Sequence, residues 1–315
     1  MIRRRHALFL LGTLAAAPPG HAQSLSVRLG TTPPGGGFEP YSVALVETLK
    51  SVDPTLAVTV VETGGSSDNA ARLQAGTLDL GLVSAEVLHE WATALPARAP
   101  MLPVVSVMYS TPGMLGVRAD SPYRRIDDLR GQRVVWGPRG TGSAAQAHYV
   151  MNGLGLDIDH DFEAIYPDQF LDGPTLVLEG RAAALWGSGL RWPGFVQLAD
   201  HPLGARFLTP DAAQIGRIRA RYRFLVRLVV PASTYPGQRN AIETVGSWSF
   251  IVARHGLDET AGYRLAIALH KIEQLTWKPR YLAQTTARST LSAIGSNTEL
   301  QPGVLRFYRE VHFVE

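Results

Sequence analysis

The sequence contains no cysteine, and lysine occurs at only three positions, Lys50, Lys271 and Lys278. Without cysteine, a disulfide framework, thiol catalysis and a thiolate metal site are all excluded. The sequence also shows no basic stripe, so it lacks the electrostatic signature of nucleic-acid binding and of membrane-surface binding. The stability of the fold must therefore come from buried apolar surface, and 45% of the residues are hydrophobic.

The first 22 residues have the order of a secretory signal peptide. Three arginines at 3–5 precede an apolar stretch from Ala7 to Ala17, and the small residue Ala22 follows as the expected cleavage site. The apolar stretch is shorter than the roughly 20 residues of a bilayer-spanning helix, which argues against the alternative of an uncleaved anchor. We expect export to the periplasm by the general or the twin-arginine route, and the mature chain then carries equal numbers of basic and acidic residues.

Three glycine-rich loops, at 30–37, 63–69 and 137–143, each lie between an apolar run and a helix-like segment. A glycine turn that opens a helix directs unpaired backbone N–H groups towards one point, with the positive end of the helix dipole behind them. Three such turns can converge on a small anion. The sequence therefore predicts a ligand receptor rather than an enzyme.

Strand and helix patterns alternate in two halves of the chain, which predicts mainly parallel sheets. The plan of the first half restarts at Ile126, and an apolar run at 248–253 returns the chain to the first half. The first half has predicted strands at 25–29, 58–62 and 78–83, and apolar runs at 104–107 and 114–117 lead into the second half. The third strand of the second half is predicted at 182–186. Helices are predicted at 259–275 and 304–311, after the returning apolar run. The predicted fold class is α/β with two lobes: lobe I at 23–115 and 241–315, and lobe II at 116–240.

Several segments in this order resemble the solute-binding proteins of tripartite ATP-independent periplasmic (TRAP) transporters, of the type called TAXI. The matching segments are 29–41, 62–69, 73–83, 127–134, 137–143, 234–238 and 300–308. The resemblance implies a type II periplasmic binding protein-like fold whose interlobe cleft closes on a small organic anion, often an amino acid or a dicarboxylate, and delivers it to a membrane permease. It implies no catalytic residue, no cofactor and no metal, and we expect a monomer.

The chain departs from the TAXI pattern at two places. The first loop is usually richer in glycine and carries a pair of tyrosines, whereas Pro33, Phe38 and Glu39 intervene here. Facing inward, Glu39 would repel a carboxylate; facing outward, it is a charge at a helix N-terminus. The Val-Gln pair expected after the third strand is Val83-Ser84.

The candidate ligand-binding residues come from the loops and from the strand ends beside them. Glycines let the backbone approach a ligand, aromatic rings can wall the cleft, and the cation and hydroxyls of the third loop suit a carboxylate. Helix capping is the alternative for the second loop, and a core position is the alternative for Trp186. The candidates are Gly35, Gly36, Gly37, Phe38, Tyr41, Ser66, Asn69, Ser84, Arg139, Thr141, Gly142, Ser143, Trp186, Gly187 and Arg191.

Other functional interpretations find weaker support. Residues 140–145 match a relaxed dinucleotide fingerprint, but an exported enzyme would lack a nicotinamide supply, and Ser143 stands where a P-loop needs lysine. The acidic run 157–161 fits solvated helix-capping residues better than a calcium loop, because Phe162 replaces the required glycine. A ligand sensor coupled to a signalling protein and a periplasmic hydrolase remain as alternatives from other functional classes.

Overall fold

A computed structural model describes residues 24–94 and 101–315, and the predicted signal peptide lies outside these residues. The strands are β1 Leu25–Gly30, β2 Leu56–Val61, β3 Leu80–Ser84, β4 Val104–Arg118, β5 Arg133–Val135, β6 Glu163–Ile165, β7 Ala184–Ser188, β8 Ala205–Leu208, β9 Val226–Val230 and β10 Ile242–Ala253. The α-helices are α1 Phe38–Val52, α2 Ser66–Gln74, α3 Ala85–Ala94, α4 Gly142–Gly153, α5 Ile158–Asp161, α6 Asp172–Leu178, α7 Pro193–Asp200, α8 Ala212–Arg221, α9 Glu259–Glu273, α10 Ala287–Ala293 and α11 Pro302–Glu310.

The strands form one continuous sheet in the order β2-β1-β3-β10-β4-β7-β5-β6, with β8 paired to β4 and β9 paired to β10. Strand β1 is parallel to β2 and β3, and strand β5 is parallel to β6 and β7. The antiparallel pairings in the described residues all involve β4 or β10. The predicted α/β fold with mainly parallel central sheets is confirmed.

Strands β4 and β10 connect the two halves of the sheet. The apolar runs predicted at 104–107 and 114–117 belong to one strand, because Thr111, Pro112 and Gly113 between them stay paired to β10 and β7. The first part of β4 pairs with β10, and its last part pairs with β7 and β8. Both strands therefore run from one half of the molecule into the other.

The buried apolar residues separate into clusters that follow the same division. One cluster combines residues from Val27 to Met108 with residues from Phe250 to Tyr308. Two further clusters lie within 114–245. On this basis we keep as a proposal the division into lobe I at 23–115 and 241–315 and lobe II at 116–240.

The glycine turns have backbone conformations that other residues rarely adopt. Gly35, Gly65, Gly137 and Gly140 have φ values of 80°, 101°, 88° and 77°. A side chain in this left-handed region meets a steric penalty, so glycine is the residue that permits these turns. Each turn follows the carboxyl end of a strand, which is where open α/β sheets place their ligand sites.

Candidate functional site

The three glycine loops meet at one place in the structure. The Ser67 amide of α2 donates to the Gly140 carbonyl of the third loop at 3.2 Å. Trp192, which precedes α7, donates through Nε1 to the Gly35 carbonyl of the first loop at 3.1 Å. These two hydrogen bonds join the proposed lobe I to the proposed lobe II directly.

A small cavity lies between the loops, and we call it the inner cavity. Its volume is about 40 Å³, enough for the head group of a ligand. Half of its lining residues carry a serine or threonine hydroxyl, and they come from both proposed lobes: Thr32, Ser66, Ser84, Thr111 and Ser249 from lobe I, and Thr141, Ser143 and Ser188 from lobe II. The remaining lining residues are Gly37, Phe38, Glu86, Tyr109, Gly142, Gln146, Phe170 and Trp192.

Two helices begin at this cavity. Ser66 is the first residue of α2 and Gly142 is the first residue of α4, and both line the cavity. The Thr141 hydroxyl caps α4 by accepting from the Ala144 amide, and it donates to the Pro138 carbonyl at 2.7 Å. The first amides of a helix have no partner within the helix, and together with the helix dipole they favour an anion.

Glu86 is the carboxylic acid among the residues that line the inner cavity, and no lysine or arginine is among them. Its side chain is 1% exposed, and Oε1 accepts a hydrogen bond from Gln146 Nε2 at 3.0 Å. Burial raises the pKa of the Glu86 carboxyl, and hydrogen-bonding neighbours, chiefly Ser247, oppose the shift. The burial therefore favours the neutral acid, which can donate a hydrogen bond.

Gln146 connects α4 to the two crossing strands. Its Nε2 lies 3.0 Å from the Thr111 carbonyl oxygen and 3.4 Å from Ser247 Oγ, in addition to Glu86. Two buried polar atoms of the cavity lining have no hydrogen-bond partner within the described residues: Gln146 Oε1 and Ser249 Oγ. Since buried polar groups are normally hydrogen-bonded, these atoms are suited to contact a bound polar molecule.

Aromatic rings cover the inner cavity. Phe170 and Trp192 of the proposed lobe II pack edge to face with their centroids 6.1 Å apart. Phe38 and Tyr109 line the cavity from the proposed lobe I. Burial raises the pKa of the Tyr109 hydroxyl, which therefore stays protonated and available as a donor.

The structure places part of the predicted site around the inner cavity. The predicted residues that line it come from all three loops and from the end of β3: Gly37, Phe38, Ser66, Ser84, Thr141, Gly142 and Ser143. Whether they bind a ligand stays a prediction. Glu39 does not line the cavity, because its Oε2 accepts from the Gly35 amide at 2.7 Å in the first turn of α1.

Tyr41 and Trp186 are core residues and do not line the inner cavity. Tyr41 is 0% exposed, and its hydroxyl hydrogen-bonds Thr285 at 2.9 Å. Trp186 is 2% exposed and packs beside Trp136 with ring centroids 6.5 Å apart. Both side chains point into the protein, and this burial agrees with the core alternative for Trp186.

Asn69 is buried and forms hydrogen bonds with the backbone. Its Nδ2 lies within hydrogen-bond distance of the carbonyl oxygens of Gly30, Thr31 and Leu82. The side chain is 0% exposed, and the helix cap of α2 is Gly65 without a side-chain bond. Asn69 therefore ties α2 to the ends of β1 and β3, and it neither caps α2 nor lines the cavity.

Arg139 does not line the cavity, contrary to the expectation that it faces a ligand carboxylate. Its side chain is exposed, and the guanidinium carbon lies 3.6 Å from the centroid of the Tyr166 ring. This is the distance of a cation–π contact, which holds the arginine on the outer side of the third loop.

Three predicted glycines support the cavity without lining it. Gly35 supplies the carbonyl that Trp192 binds. A β-carbon at Gly36 would lie 2.5 Å from Thr32 Cγ2, and one at Gly187 would lie 2.5 Å from the Trp192 ring. These glycines let cavity residues pack closely against the backbone, which is a positioning role.

Arg191 lines a second cavity, which we call the outer cavity. It has a volume of about 280 Å³ and shares Gly37, Tyr109, Ser188 and Trp192 with the inner cavity. Its other lining residues are Pro40, Ser110, Gly189, Leu190, Pro193, Arg280, Tyr281, Ala283 and Gln284. The two cavities therefore adjoin along one shared wall.

Sequence reasoning missed several lining residues. Glu86 follows Ser84 by two positions, and Gln146 lies one turn into α4, so their proximity to predicted residues was a usable signal. Thr111 and Ser249 lie on the crossing strands, and Phe170 lies before α6. No local pattern indicates that these last three residues reach the loops.

The acidic run at 157–161 forms a helix start. Asp157 Oδ1 accepts from the amides of Asp159 and His160 at the beginning of α5. Asp161 pairs with Arg130. Among residues 24–94 and 101–315, no group of three or more acidic or histidine side chains is arranged to hold a metal ion.

Residues 29–311 match the sequence profile of the NMT1-like family. Among solved structures, a putative L-cystine ABC transporter from Listeria monocytogenes is 16% identical, with 79% of this chain and 90% of that chain covered and a TM-score of 0.52. An ancestral arginine-binding protein bound to arginine is 14% identical over 81% and 94% of the two chains, with a TM-score of 0.51. A point mutant of full-length BenM is 13% identical over 81% and 68%, also with a TM-score of 0.51.

At these identities the likeness establishes the fold alone, and it confirms the predicted periplasmic binding protein-like α/β architecture. Within the part of the chain that the structure describes, the helices are too short or too polar to cross a bilayer.

Proposed function

The chain belongs to the NMT1-like family, and from this premise we propose that it is a periplasmic solute-binding receptor that encloses a small organic anion. The proposal extends to a TRAP transporter of the TAXI type as the system that it serves, because the segments that resemble TAXI proteins include all three loops around the inner cavity. The receptor would hand its ligand to a membrane permease.

The inner cavity carries the proposal. Hydroxyls from both halves of the molecule and the starts of α2 and α4 line one common space. A ligand held there contacts both lobes at once, so its binding stabilises the closed arrangement over any arrangement in which the lobes are apart. The geometry therefore supports a receptor whose cleft closes on its ligand.

The anion would lie at the starts of the two helices. The amides of Gly142 and Ser143 and the hydroxyl of Ser66 can donate to a carboxylate, and Glu86 in its neutral form adds another donor. Hydrogen bonds to a charged group contribute about 1.5–3 kcal/mol each. A few of them together with apolar contact reach the roughly 8–12 kcal/mol of micromolar to nanomolar binding.

The chemistry of the lining favours retention of a ligand over its conversion. The residues around the inner cavity include many hydroxyls but no histidine or lysine, and burial favours the neutral form of Glu86, in which the carboxyl is not a general base. A receptor needs no such base, because binding alone closes the cleft.

The test combines ligand identification with a variant that fills the cavity. Mass spectrometry identifies what co-purifies with the mature protein, and calorimetry measures its affinity for the wild type and for Gly142→Ala. A β-carbon at Gly142 would lie 2.5 Å from Ser84 Oγ and 3.0 Å from Ser66 Oγ, inside the cavity. We expect affinity to fall at least about 10-fold, the equivalent of one lost charge-assisted hydrogen bond.

Gly216→Ala is the matched control, because a β-carbon at Gly216 has no neighbour within 4 Å. Unchanged affinity in Gly142→Ala would remove the inner cavity from the binding site. Conversion of the ligand on incubation would support the hydrolase alternative. Cross-linking in membranes to a signalling protein instead of a permease would overturn the transport part of the proposal.

A further inference from the structure

We propose that Glu39 and Asp68 are positioning residues, whose carboxylates hold the first two glycine loops in the conformation that joins the two proposed lobes. Neither residue lines the inner cavity, so both act through the loops and not on a ligand. The inference deepens the proposed function and rests on it in one respect, the closure of the proposed lobes around an anion.

The two loops share one hydrogen-bonding arrangement. The Gly35 amide donates to Glu39 Oε2 at 2.7 Å, and the Gly64 amide donates to Asp68 Oδ2 at 2.9 Å. In each case the acceptor lies four residues further along the chain, in the first turn of the helix that follows the loop. Each carboxylate therefore reaches back from its helix to the loop, as the carboxylate of a capping box does.

Both loops depend on such a contact because of their composition. Helices α1 and α2 begin after Gly37 and Gly65, so no side chain at the cap position binds the amides of the first turn. Glycine also loses more conformational freedom on folding than any other residue. A loop that turns at glycine therefore needs a contact from elsewhere to remain in one conformation, and the carboxylate of the first turn supplies it.

Each of the two loops makes a hydrogen bond to the proposed lobe II. The Gly35 carbonyl accepts from Trp192 Nε1 at 3.1 Å, and the amide of the same glycine is the one that the first carboxylate binds. The Ser67 amide donates to the Gly140 carbonyl at 3.2 Å, and Ser67 lies in the chain between the two residues of the second carboxylate bond. Loss of either carboxylate would release the loop from the position that its hydrogen bond to lobe II requires.

The Asp68 carboxyl has the charge that strengthens its bond to the loop. Burial would raise the pKa of this carboxyl, but the Gly64 amide and the Arg72 guanidinium outweigh burial and lower the pKa. Arg72 Nε lies 2.9 Å from Asp68 Oδ1, so one carboxylate oxygen faces the arginine and the other faces the loop. A hydrogen bond to a charged acceptor is roughly twice as strong as one between neutral groups.

A carboxylate in a first turn also stabilises a helix through the helix dipole, without any role in the preceding loop. The glutamine variant separates the two effects, because glutamine lacks the charge but keeps an acceptor oxygen. If the hydrogen bond positions the loop, Glu39→Gln should behave like the wild type. If the charge alone matters, Glu39→Gln should behave like Glu39→Ala.

Hydrogen exchange measured by NMR on the mature protein, without any added small molecule, tests each bond at its donor. The Trp192 indole N–H reports on the first loop, and its signal is the one that Trp192→Phe removes. The Ser67 amide reports on the second loop. We expect Glu39→Ala to speed exchange of the Trp192 indole at least about 10-fold, the equivalent of one hydrogen bond to a charged group, and to leave the Ser67 amide within about 2-fold of the wild type. Asp68→Ala should do the reverse.

The two alanine variants are matched controls for each other, and Glu47→Ala, at an exposed position of α1, controls for the loss of a glutamate from that helix. Urea unfolding of each variant measures global stability, since a loss of global stability alone would speed exchange at both donors alike.

Three results would overturn the inference: an alanine variant that leaves its own donor unchanged, equal acceleration of both donors by each alanine variant, or exchange in Glu39→Gln as fast as in Glu39→Ala. The proposed function has a separate failure, a wild type that neither co-purifies with nor binds any small anion although each carboxylate controls its own loop.

Discussion

At the scale of single residues, the Glu86 carboxyl links the stability of the protein to pH. The folded state raises the pKa of Glu86 above its unfolded value of about 4.3, so the folded state holds the proton more tightly. The free energy of unfolding contributed by this group is therefore greatest at low pH, and it falls as the pH rises through the folded pKa. Glu86→Gln removes the titration, and we expect the Tm of the variant relative to the wild type to increase between pH 4 and pH 8.

Calorimetric or circular-dichroism melting at several pH values measures this difference. In a chain of this size about 1 kcal/mol shifts the Tm by roughly 2–4 °C. Glu47→Gln, at an exposed position on α1, is the control for the effect of a glutamate-to-glutamine change itself. A Tm difference for Glu86→Gln that stays flat or declines with pH would show that burial does not control this carboxyl.

Asn69 also acts at this scale, as a structural residue. Its amide satisfies carbonyl oxygens at the ends of β1 and β3. Asn69→Ala leaves these buried acceptors without their donor, which costs about 1–3 kcal/mol of unfolding free energy. Urea unfolding should show this loss, whereas exposed Asn240→Ala should change stability by less than about 0.5 kcal/mol. Equal stability of the two variants would contradict a stabilising role for the Asn69 hydrogen bonds to β1 and β3.

At the scale of secondary-structure elements, α9 and α11 meet at a glycine. A β-carbon at Gly303 would lie 1.9 Å from the Glu259 carbonyl oxygen and 2.4 Å from the Tyr263 amide nitrogen. Because both neighbours are backbone atoms, Gly303→Ala forces the helices apart. We expect a loss of about 1–3 kcal/mol in unfolding free energy, as for overpacking in a core.

The matched variant is Gly216→Ala in α8, where a β-carbon has no neighbour within 4 Å. Alanine is the better helix former by about 0.8–1 kcal/mol, so this variant should be more stable than the wild type. The two glycine-to-alanine changes thus have opposite expected signs in the same unfolding measurement. Stabilisation by Gly303→Ala would show that the helices do not approach as closely as the structure has them.

Some secondary-structure elements could be predicted well from the sequence. Predicted strands at 25–29, 58–62 and 78–83 correspond to β1, β2 and β3 within about two residues, because apolar periodicity and glycine stops are local signals. Strand β4 was harder, since Thr111, Pro112 and Gly113 interrupt its apolar pattern. Its continuity depends on pairing with β7 and β10, which lie far away in the sequence.

At the scale of the whole molecule, the cavity depends on how the two proposed lobes meet. The predicted glycine loops lie around it because each follows a strand of a parallel sheet. Arg139 could not be placed from sequence, because its contact with Tyr166 depends on how the segment around residues 139–166 folds. Gln146 reaches Glu86, Thr111 and Ser247 across the junction, and no pattern within one segment indicates such a contact.

The last prediction concerns the proposed closure of the two proposed lobes. Trp192 Nε1 donates to the Gly35 carbonyl, one of the hydrogen bonds that join the proposed lobes, and its ring lines both cavities. Trp192→Phe keeps an aromatic ring but removes the donor, which is worth about 0.5–1.5 kcal/mol. Because that bond belongs to the closed arrangement, we expect ligand affinity to fall about 2- to 10-fold and the ligand-induced decrease in radius of gyration to shrink in small-angle scattering.

Trp277→Phe, at a side chain that is 59% exposed, controls for loss of an indole. If Trp192→Phe bound the ligand and became compact like the wild type, the Trp192 hydrogen bond would not contribute to closure. Other contacts would then have to join the first glycine loop to the proposed lobe II.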